Sequence, residues 1–321
     1  MRTIAIEEHF RSAALRDALD AGAVSFAEYP MVPPLFGLLD DVDERRLAEL
    51  DAAGIDMQVL SHTPPGPEAF GSGPAVEIAR AMNDELAEMV RARPERYSGF
   101  AMLPTPAPDA AAEELARAVT QLGLCGAMVH GTTDGRFLDH PDFRPLWDVA
   151  AQLRVPVYLH PGVPPRAVRD AYYAHCAPEV ASALATTAWG WHVETGLHAL
   201  RLVLSGTFDR HPELQVIVGH MGEALPFMLA RADAVLDGHC HLDRPLHEYF
   251  TQNLHYTTSG FFDDAPWQCL TAAVGIDRVL FAVDYPFGDN RRARAFLDTI
   301  QATDSERAAI AHRNAEALLR L

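Results

Sequence analysis

Residues 155–160 read VPVYLH, an apolar run that ends in a histidine, and residues 214–220 read LQVIVGH, a second run of the same kind. Strands of a parallel sheet are buried on both faces, so they appear in a sequence as continuous apolar runs. Both stretches therefore predict parallel strands. Each run also places a polar side chain where its strand ends.

Further β-type runs alternate with helical stretches on both sides of these two, which is the pattern of consecutive βα units. The predicted strands cover residues 3–6, 57–60, 97–102, 127–130, 155–159, 215–219, 254–257 and 279–283. Eight strands with helices between them predict an α/β fold, a (β/α)₈ TIM barrel, formed as one domain over residues 1–321.

An open doubly wound sheet would show the same alternation of strands and helices. However, no GxGxxG motif follows an early strand. Polar residues also end several different strands, and a barrel gathers all of its strand ends around one mouth. The barrel is therefore the better interpretation.

Composition excludes several classes of protein. The net charge of -18 argues against a nucleic-acid partner, because phosphate binding needs a basic surface. The sequence contains no run of about 18 apolar residues, so it predicts no membrane-spanning helix. The acidic N-terminal stretch MRTIAIEEHF does not resemble a signal peptide, so we expect a cytoplasmic enzyme.

The sequence contains no lysine, which excludes Schiff-base catalysis and a carboxylated-lysine metal centre.

Five residues that can bind a metal follow strand ends. Glu7 and His9 lie two residues apart on the first strand, so their side chains point to the same face while that of Glu8 points away. A carboxylate beside an imidazole is a typical pair of metal ligands. His160, His220 and Asp284 end strands five, six and eight. Together these positions predict a site for a divalent cation at the mouth of the barrel.

The order of several longer motifs carries a family resemblance. The motifs are IAIEEHF (4–10), LHP around His160, WGWHVETGLHALRLVLSGTFDRHPELQVIVGHMGE (189–223), HYTTSG (255–260) and DRVLFAVDYPF (277–287). In this combination the chain resembles the aminocarboxymuconate-semialdehyde decarboxylase-like branch of the amidohydrolase superfamily, over nearly its whole length. Within that branch it is most similar to the γ-resorcylate and 2,3-dihydroxybenzoate decarboxylases.

The resemblance implies a role for each strand-end residue. Glu7, His9, His160 and Asp284 would hold one divalent metal ion, Zn²⁺ or Mn²⁺, with Mg²⁺ as a further candidate. Asp284 would also be the proton donor, and His220 would orient or help protonate the substrate. A glutamate borne on the following helix, matched by Glu223, would fix the tautomer of His220.

The resemblance further implies a reaction, which is the non-oxidative decarboxylation of a hydroxylated aromatic acid of the dihydroxybenzoate or resorcylate type. Ring protonation by Asp284 would precede loss of CO₂. It also implies a homodimer or homotetramer. Two other functions stay open: a metal-dependent hydrolase of a lactone, ester or amide, and a metal-binding protein that has lost catalysis.

Four residues are candidates for substrate binding. Trp189 and Trp191 match aromatic positions near the family's pocket, and His130 ends strand four. Phe262 belongs to a Phe-Phe pair that follows a strand. A flat aromatic substrate would suit such walls.

Four other histidines are predicted not to bind metal. His239-Cys240-His241 has the spacing of a metal motif, but it follows a predicted helix and not a strand. His192 and His198 lie in a predicted helix of the outer ring, where packing is the default role.

Overall fold

The computed structural model describes residues 1–20, 33–236 and 238–321. Eight strands form one sheet in the order β1 to β8, and each strand pairs in parallel with the next. The strands are β1 (Ile4–Phe10), β2 (Met57–His62), β3 (Tyr97–Met102), β4 (Gly126–His130), β5 (Val157–His160), β6 (Val216–Val218), β7 (Leu254–Thr257) and β8 (Val279–Leu280). The predicted (β/α)₈ barrel is confirmed.

Backbone hydrogen bonds between the first strand and the chain after the last strand close the barrel. The amide of His9 donates to the carbonyl of Tyr285 at 2.7 Å, and the amide of Asp284 donates to the carbonyl of Glu7 at 3.0 Å. β8 ends earlier than the predicted strand over 279–283. After Leu280 the amides donate outside the strand ladder, that of Phe281 to the carbonyl of Ile310 at 3.1 Å and that of Ala282 to the hydroxyl of Thr258 at 3.0 Å. The amide of Val283 donates to the side chain of Glu8 at 2.8 Å.

Helices follow the strands and surround the barrel. They are α1 (Ala13–Asp20), α2 (Phe36–Leu39), α3 (Glu44–Ala53), α4 (Ser72–Ala92), α5 (Pro108–Thr120), α6 (Arg144–Leu153), α7 (Arg166–Tyr172), α8 (Pro178–Ala185), α9 (Gly190–Leu204), α10 (Thr207–Arg210), α11 (Leu225–Leu236), α12 (Leu246–Gln252), α13 (Asp264–Val274), α14 (Asn290–Thr299), α15 (Asp304–Ala308) and α16 (Asn314–Leu319). None of these helices is both long and apolar enough to cross a membrane.

The interior of the barrel is packed with side chains and is not a pore. The inward-facing cluster contains buried residues from seven of the strands and their flanks: Ile4, Ile6, Met57, Val59, Phe100, Cys125, Met128, Tyr158, Ile217, Leu280 and Ala282. Side chains on the opposite strand faces pack against the helices in a larger second cluster. Because the lower interior is filled, a cavity can form only above it, at the carboxyl ends of the strands.

One histidine of the outer ring shows how burial sets its charge. His198 on α9 is buried, and its Nε2 accepts a hydrogen bond from the amide of Leu138 at 2.9 Å. Burial, together with the nearby Arg201, lowers the pKa of His198 from 6.5 to about 3. The predicted packing role of His198 is therefore confirmed, and it depends on a neutral ring.

We predict that His198 makes the fold sensitive to acid. Between pH values of about 6.5 and 3 the unfolded chain takes up a proton at this position and the folded chain does not, so the free energy of unfolding falls as the pH falls. His198→Gln keeps an acceptor without a titrating ring, so its unfolding free energy should depend less steeply on pH. Urea unfolding from about pH 7 to about pH 5 measures this. Equal slopes for the two proteins would contradict the account.

Candidate active site

Glu7 lies in the middle of β1, and one of its carboxylate oxygens has no hydrogen-bond partner among the described residues. The register between β1 and β2 shifts between Ala5 and Glu8, which marks a bulge at this point of the strand. The Oε2 atom of Glu7 accepts hydrogen bonds from the hydroxyl of Tyr158 and from that of Thr257, the latter at 3.1 Å. The Oε1 atom is buried and has no hydrogen-bond partner among the described residues. Its free lone pairs are what a cation needs.

Glu8 points away from this face, as strand alternation predicts. Its carboxyl group accepts hydrogen bonds from the Val283 amide at 2.8 Å and from Gln58 Nε2 at 2.9 Å. Burial raises the pKa of Glu8 to about 8 against the opposing effect of the Val283 hydrogen bond. Glu8 therefore braces the joint between the first and last strands.

His160, at the end of β5, is fixed in one tautomer. Its Nδ1 lies 2.8 Å from the carbonyl oxygen of Pro161. A carbonyl oxygen can only accept, so Nδ1 carries the hydrogen and the lone pair of Nε2 is free. Nε2 lies 3.4 Å from Glu7 Oε1. In metal-binding histidines, the nitrogen that does not bind the metal usually donates a hydrogen bond of the kind made here by Nδ1. That bond fixes the tautomer and the orientation of the ring.

His9 and Asp284 complete the group from opposite ends of the chain. His9 Nδ1 lies 3.2 Å from the hydroxyl of Ser61, while its buried Nε2 has no hydrogen-bond partner among the described residues and lies 3.2 Å from Asp284 Oδ1. The backbone of Asp284 has φ 68°, a left-handed conformation that is uncommon outside glycine. The hydrogen bond from its backbone amide to the carbonyl of Glu7 holds Asp284 in this conformation. Such strain is typical of functional positions.

These four side chains meet the requirements of a metal site. One ligand atom from each of Glu7, His9, His160 and Asp284 lies within 4.8 Å of the others. Two imidazoles, which bind metals in their neutral form, and two carboxylates offer both nitrogen and oxygen ligands. Such a mixed set suits divalent first-row cations. The unpartnered atoms Glu7 Oε1 and His9 Nε2 both belong to this set. The residues therefore fit one bound divalent ion.

His220 lies beside these four potential ligands, in a second group with His192 and Glu223. Its Nε2 lies 3.6 Å from Glu7 Oε1 and 3.7 Å from Asp284 Oδ2. On the other side of the ring, Nδ1 lies 2.7 Å from Glu223 Oε1. His220 and Glu223 have φ values of 48° and 56°. Glu223 therefore lies in a left-handed turn before α11, and the expectation that it is borne on the helix is wrong.

The charges of this second group reinforce one another. Burial lowers the pKa of His220, but Glu223 and then Glu7 outweigh it, so the pKa is raised well above its ordinary value. Burial raises the pKa of Glu223, but His220 and His192 outweigh it and the pKa is lowered. For Asp284, burial is likewise outweighed by the nearby imidazoles of His220 and His9, and the pKa is lowered.

His192 is a site residue that the sequence interpretation missed. Its Nδ1 lies 2.6 Å from Glu223 Oε2, so the two imidazoles of His192 and His220 share one carboxylate. The packing role expected for His192 is therefore wrong. A signal was present, because His192 directly follows Trp191, which was a candidate for the pocket wall.

A cavity of about 370 Å³ lies over these potential metal ligands. Its floor includes His9, His160, His220 and Asp284, and its walls include the aromatic side chains Trp191, Phe261, Phe262 and Phe287. Gly260 has φ 64°, and a Cβ there would lie 3.4 Å from Asp284 Oδ2, so a glycine keeps this approach open.

Two of the four candidate substrate-binding residues, Trp191 and Phe262, line this cavity, and two do not. Trp189 is 54% exposed and lies outside the lining. His130 is buried behind His160, with 5.1 Å between the ring centroids, and its Nδ1 lies 3.4 Å from Glu68. Direct contact of Trp189 or His130 with a ligand in this cavity is therefore not supported by the geometry. The 239–241 stretch contributes to neither group of potential ligands.

Comparison with known proteins gives matches over nearly the whole length of the chain. A family model described as Amidohydrolase matches residues 16–321. Decarboxylase orsB from Emericella nidulans is 37% identical over 328 residues, which cover 99% of this chain and 97% of that protein. Gamma-resorcylate decarboxylase from Rhizobium sp. is 38% identical over 330 residues, which cover 99% and 98%.

A solved structure matches equally well. The crystal structure of dihydroxybenzoic acid decarboxylase from Polaromonas sp. JS666, with bound manganese and the inhibitor 2-nitroresorcinol, has a TM-score of 0.89 and 35% identity to this chain. The match covers 100% of this chain and 97% of that one. These likenesses agree with the geometry of the site.

We predict that His160→Ala loses bound metal, because it removes one of four ligands. After loading with Mn²⁺ and gel filtration, the unaltered protein should retain about one ion per chain. The variant should retain far less, because we expect its affinity for the metal to be at least about tenfold weaker. Elemental analysis measures the content. His239→Ala tests the sequence motif outside the site and should retain metal. Loss of metal from His239→Ala with retention in His160→Ala would reject the assignment.

Proposed function

The chain belongs to the amidohydrolase family, and from that premise we propose that it is a divalent-metal-dependent decarboxylase of a hydroxylated aromatic carboxylic acid. The observation that carries this proposal is the cavity, which combines a floor of metal ligands with aromatic walls. Gamma-resorcylate decarboxylase from Rhizobium and the manganese-containing Polaromonas enzyme support this reaction over a hydrolase activity. We propose a resorcylate-type acid as the substrate and Mn²⁺ as the first metal to test.

Substrate binding follows from the shape and charge of the cavity. When bound by Glu7, His9, His160 and Asp284, the divalent ion supplies a positive centre that attracts the carboxylate and the neighbouring hydroxyl oxygen of the acid. The indole of Trp191 and the phenyl ring of Phe262 offer apolar surfaces to a flat ring. Together they would turn the carboxyl-bearing carbon towards Asp284.

Decarboxylation needs a proton on that carbon, because direct loss of CO₂ would leave a carbanion in the plane of the ring. Asp284 Oδ1 faces His9, whereas Oδ2 faces His220 and Gly260. Asp284 would deliver the proton from Oδ2. A C–H bond forms, the C–C bond to the carboxylate breaks, and its electron pair restores the aromatic ring as CO₂ leaves.

The proton used in each cycle has to be replaced, since one is consumed for every CO₂ released. His220 Nε2 lies 3.7 Å from Asp284 Oδ2, close enough to pass a proton after a small movement. Glu223 holds the other ring nitrogen of His220 at 2.7 Å and stabilises its protonated form. In this scheme His220 resupplies Asp284, and Glu223 positions His220.

We predict that Asp284→Asn strongly lowers kcat while ligand binding survives. An amide cannot deliver the proton, so kcat should fall by roughly 10²- to 10⁴-fold, the usual contribution of a general acid. Loss of 2,6-dihydroxybenzoate with release of CO₂ measures kcat, and titration with 2-nitroresorcinol in metal-loaded protein measures binding. His239→Ala is the control and should turn over normally. Turnover by Asp284→Asn near that of the unaltered protein would contradict the role of Asp284.

We further propose that the protein works as a homo-oligomer. An apolar groove runs between α9 and α11, behind the turn that carries Glu223. Large side chains stand exposed on it, among them Leu197, Met228 and Val235. Phe227, on the same helix as Met228, is 79% exposed. Exposed apolar surface of this kind is typical of protein interfaces.

We predict that Phe227→Asp weakens this assembly, because a carboxylate in an apolar interface would lose its water. Light scattering during gel filtration should give a multiple of 35.2 kDa for the unaltered chain and a shift towards 35.2 kDa for the variant. Val180→Asp changes an exposed apolar residue on α8 and should leave the mass unchanged. A monomeric unaltered chain would contradict the proposal.

A further inference from the structure

His192 has partners on both nitrogens of its ring. Nδ1 lies 2.6 Å from Glu223 Oε2. Nε2 lies 3.1 Å from the indole Nε1 of Trp191 and 3.1 Å from the carbonyl oxygen of Thr187. The side chain is 13% exposed and lines the cavity. A helix residue placed for packing alone would not need two polar partners on opposite sides of its ring.

The directions of these bonds follow from the chemistry of the partners. A carboxylate only accepts hydrogen bonds, so the Nδ1–H of His192 donates to Glu223. An indole N–H only donates, so its bond needs a lone pair on His192 Nε2, and in this tautomer the carbonyl oxygen of Thr187 receives no hydrogen bond from that nitrogen. Glu223 thus takes one imidazole N–H on each oxygen, from His192 and from His220. Its carboxylate plane is fixed from both sides.

We propose that His192 is a positioning residue that couples the pair Glu223 and His220 to the aromatic wall of the cavity. Through Nδ1 it holds Glu223, and Glu223 in turn fixes the orientation of the His220 ring. Through Nε2 it holds the indole of Trp191, which lines the cavity. One side chain therefore aligns the residue that resupplies the proton with a surface that binds the substrate.

The packing around His192 supports this coupling. The ring centroids of His192 and His220 lie 4.7 Å apart, and the His192 ring also contacts Phe261 at 5.8 Å. Glu223 is buried, so removing His192 would leave Oε2 without its imidazole donor. A buried acceptor that loses its donor carries a desolvation cost, and the carboxylate would turn to recover a partner. The ring of His220 would turn with it.

The two halves of the coupling can be separated by substitution. An asparagine amide reaches about as far as Nδ1 of histidine, and a glutamine amide about as far as Nε2. His192→Asn therefore keeps the donor to Glu223 and loses the acceptor for Trp191, and His192→Gln does the reverse. His192→Phe keeps the ring and loses both. His198→Gln is the matched control, since His198 lies on the same helix away from the cavity.

Kinetics with 2,6-dihydroxybenzoate test the proposal, and this part rests on the proposed function. We expect His192→Phe to lower kcat by about tenfold or more and to raise KM, as when a partner that orients a functional imidazole is lost. His192→Asn should raise KM with kcat little changed, and His192→Gln should lower kcat with KM little changed. Equal effects of Asn, Gln and Phe on kcat and KM would overturn the coupling.

A spectroscopic readout keeps the inference separate from the activity. In Zn²⁺-loaded, ¹⁵N-histidine-labelled protein, the imidazole N–H groups bonded to Glu223 should give two low-field proton signals. His192→Phe should delete one and shift the other, whereas His192→Asn should restore the His220 signal. If the protein fails to decarboxylate but these shifts occur, the proposed function fails and the positioning role stands. An unchanged His220 signal in His192→Phe would refute the positioning role.

Discussion

Closure of the barrel between its first and last strands is the constraint on which the site depends. The amide of Asp284 bonds to the carbonyl of Glu7, and the amide of His9 bonds to the carbonyl of Tyr285. These two bonds bring a carboxylate from near the end of the chain onto the pair carried by β1. Glu8 strengthens the same joint from behind, by accepting the Val283 amide. The fold and the site are thus specified by the same contacts.

The second physical factor that determines the chemistry of the site is the free-energy cost of burying a charge. Glu7 is fully buried, and its Oε1 atom has no hydrogen-bond partner among the described residues. A buried carboxylate oxygen is costly unless a donor or a cation satisfies it. A divalent ion between Glu7, His9, His160 and Asp284 would satisfy it and would also use the free Nε2 atoms of the histidines. The protein's own electrostatics therefore favour metal binding.

Sequence patterns predicted the barrel and the convergence of Glu7, His9, His160 and Asp284, because both follow from the arrangement of the strands. Residues that end parallel strands meet at one mouth wherever they lie in the chain, so Glu7 and Asp284 could be grouped without coordinates. Side chains on the segments that connect strands and helices could not be grouped in this way, because the direction in which they point depends on local backbone geometry. Trp189 caps α9 and turns outward, while Trp191, two residues later, faces the cavity. Likewise, the left-handed turn at Glu223 and the inward direction of His192 follow from packing between α9 and the turn after β6.

The most direct test of the central claim is a crystal structure of the Mn²⁺-loaded protein with anomalous diffraction recorded at the manganese edge. The account predicts one anomalous peak, about 2.0–2.3 Å from Glu7 Oε1, His9 Nε2, His160 Nε2 and an oxygen of Asp284. A peak elsewhere, for instance at residues 239–241, or side chains of His160 and Asp284 turned away from β1, would contradict it.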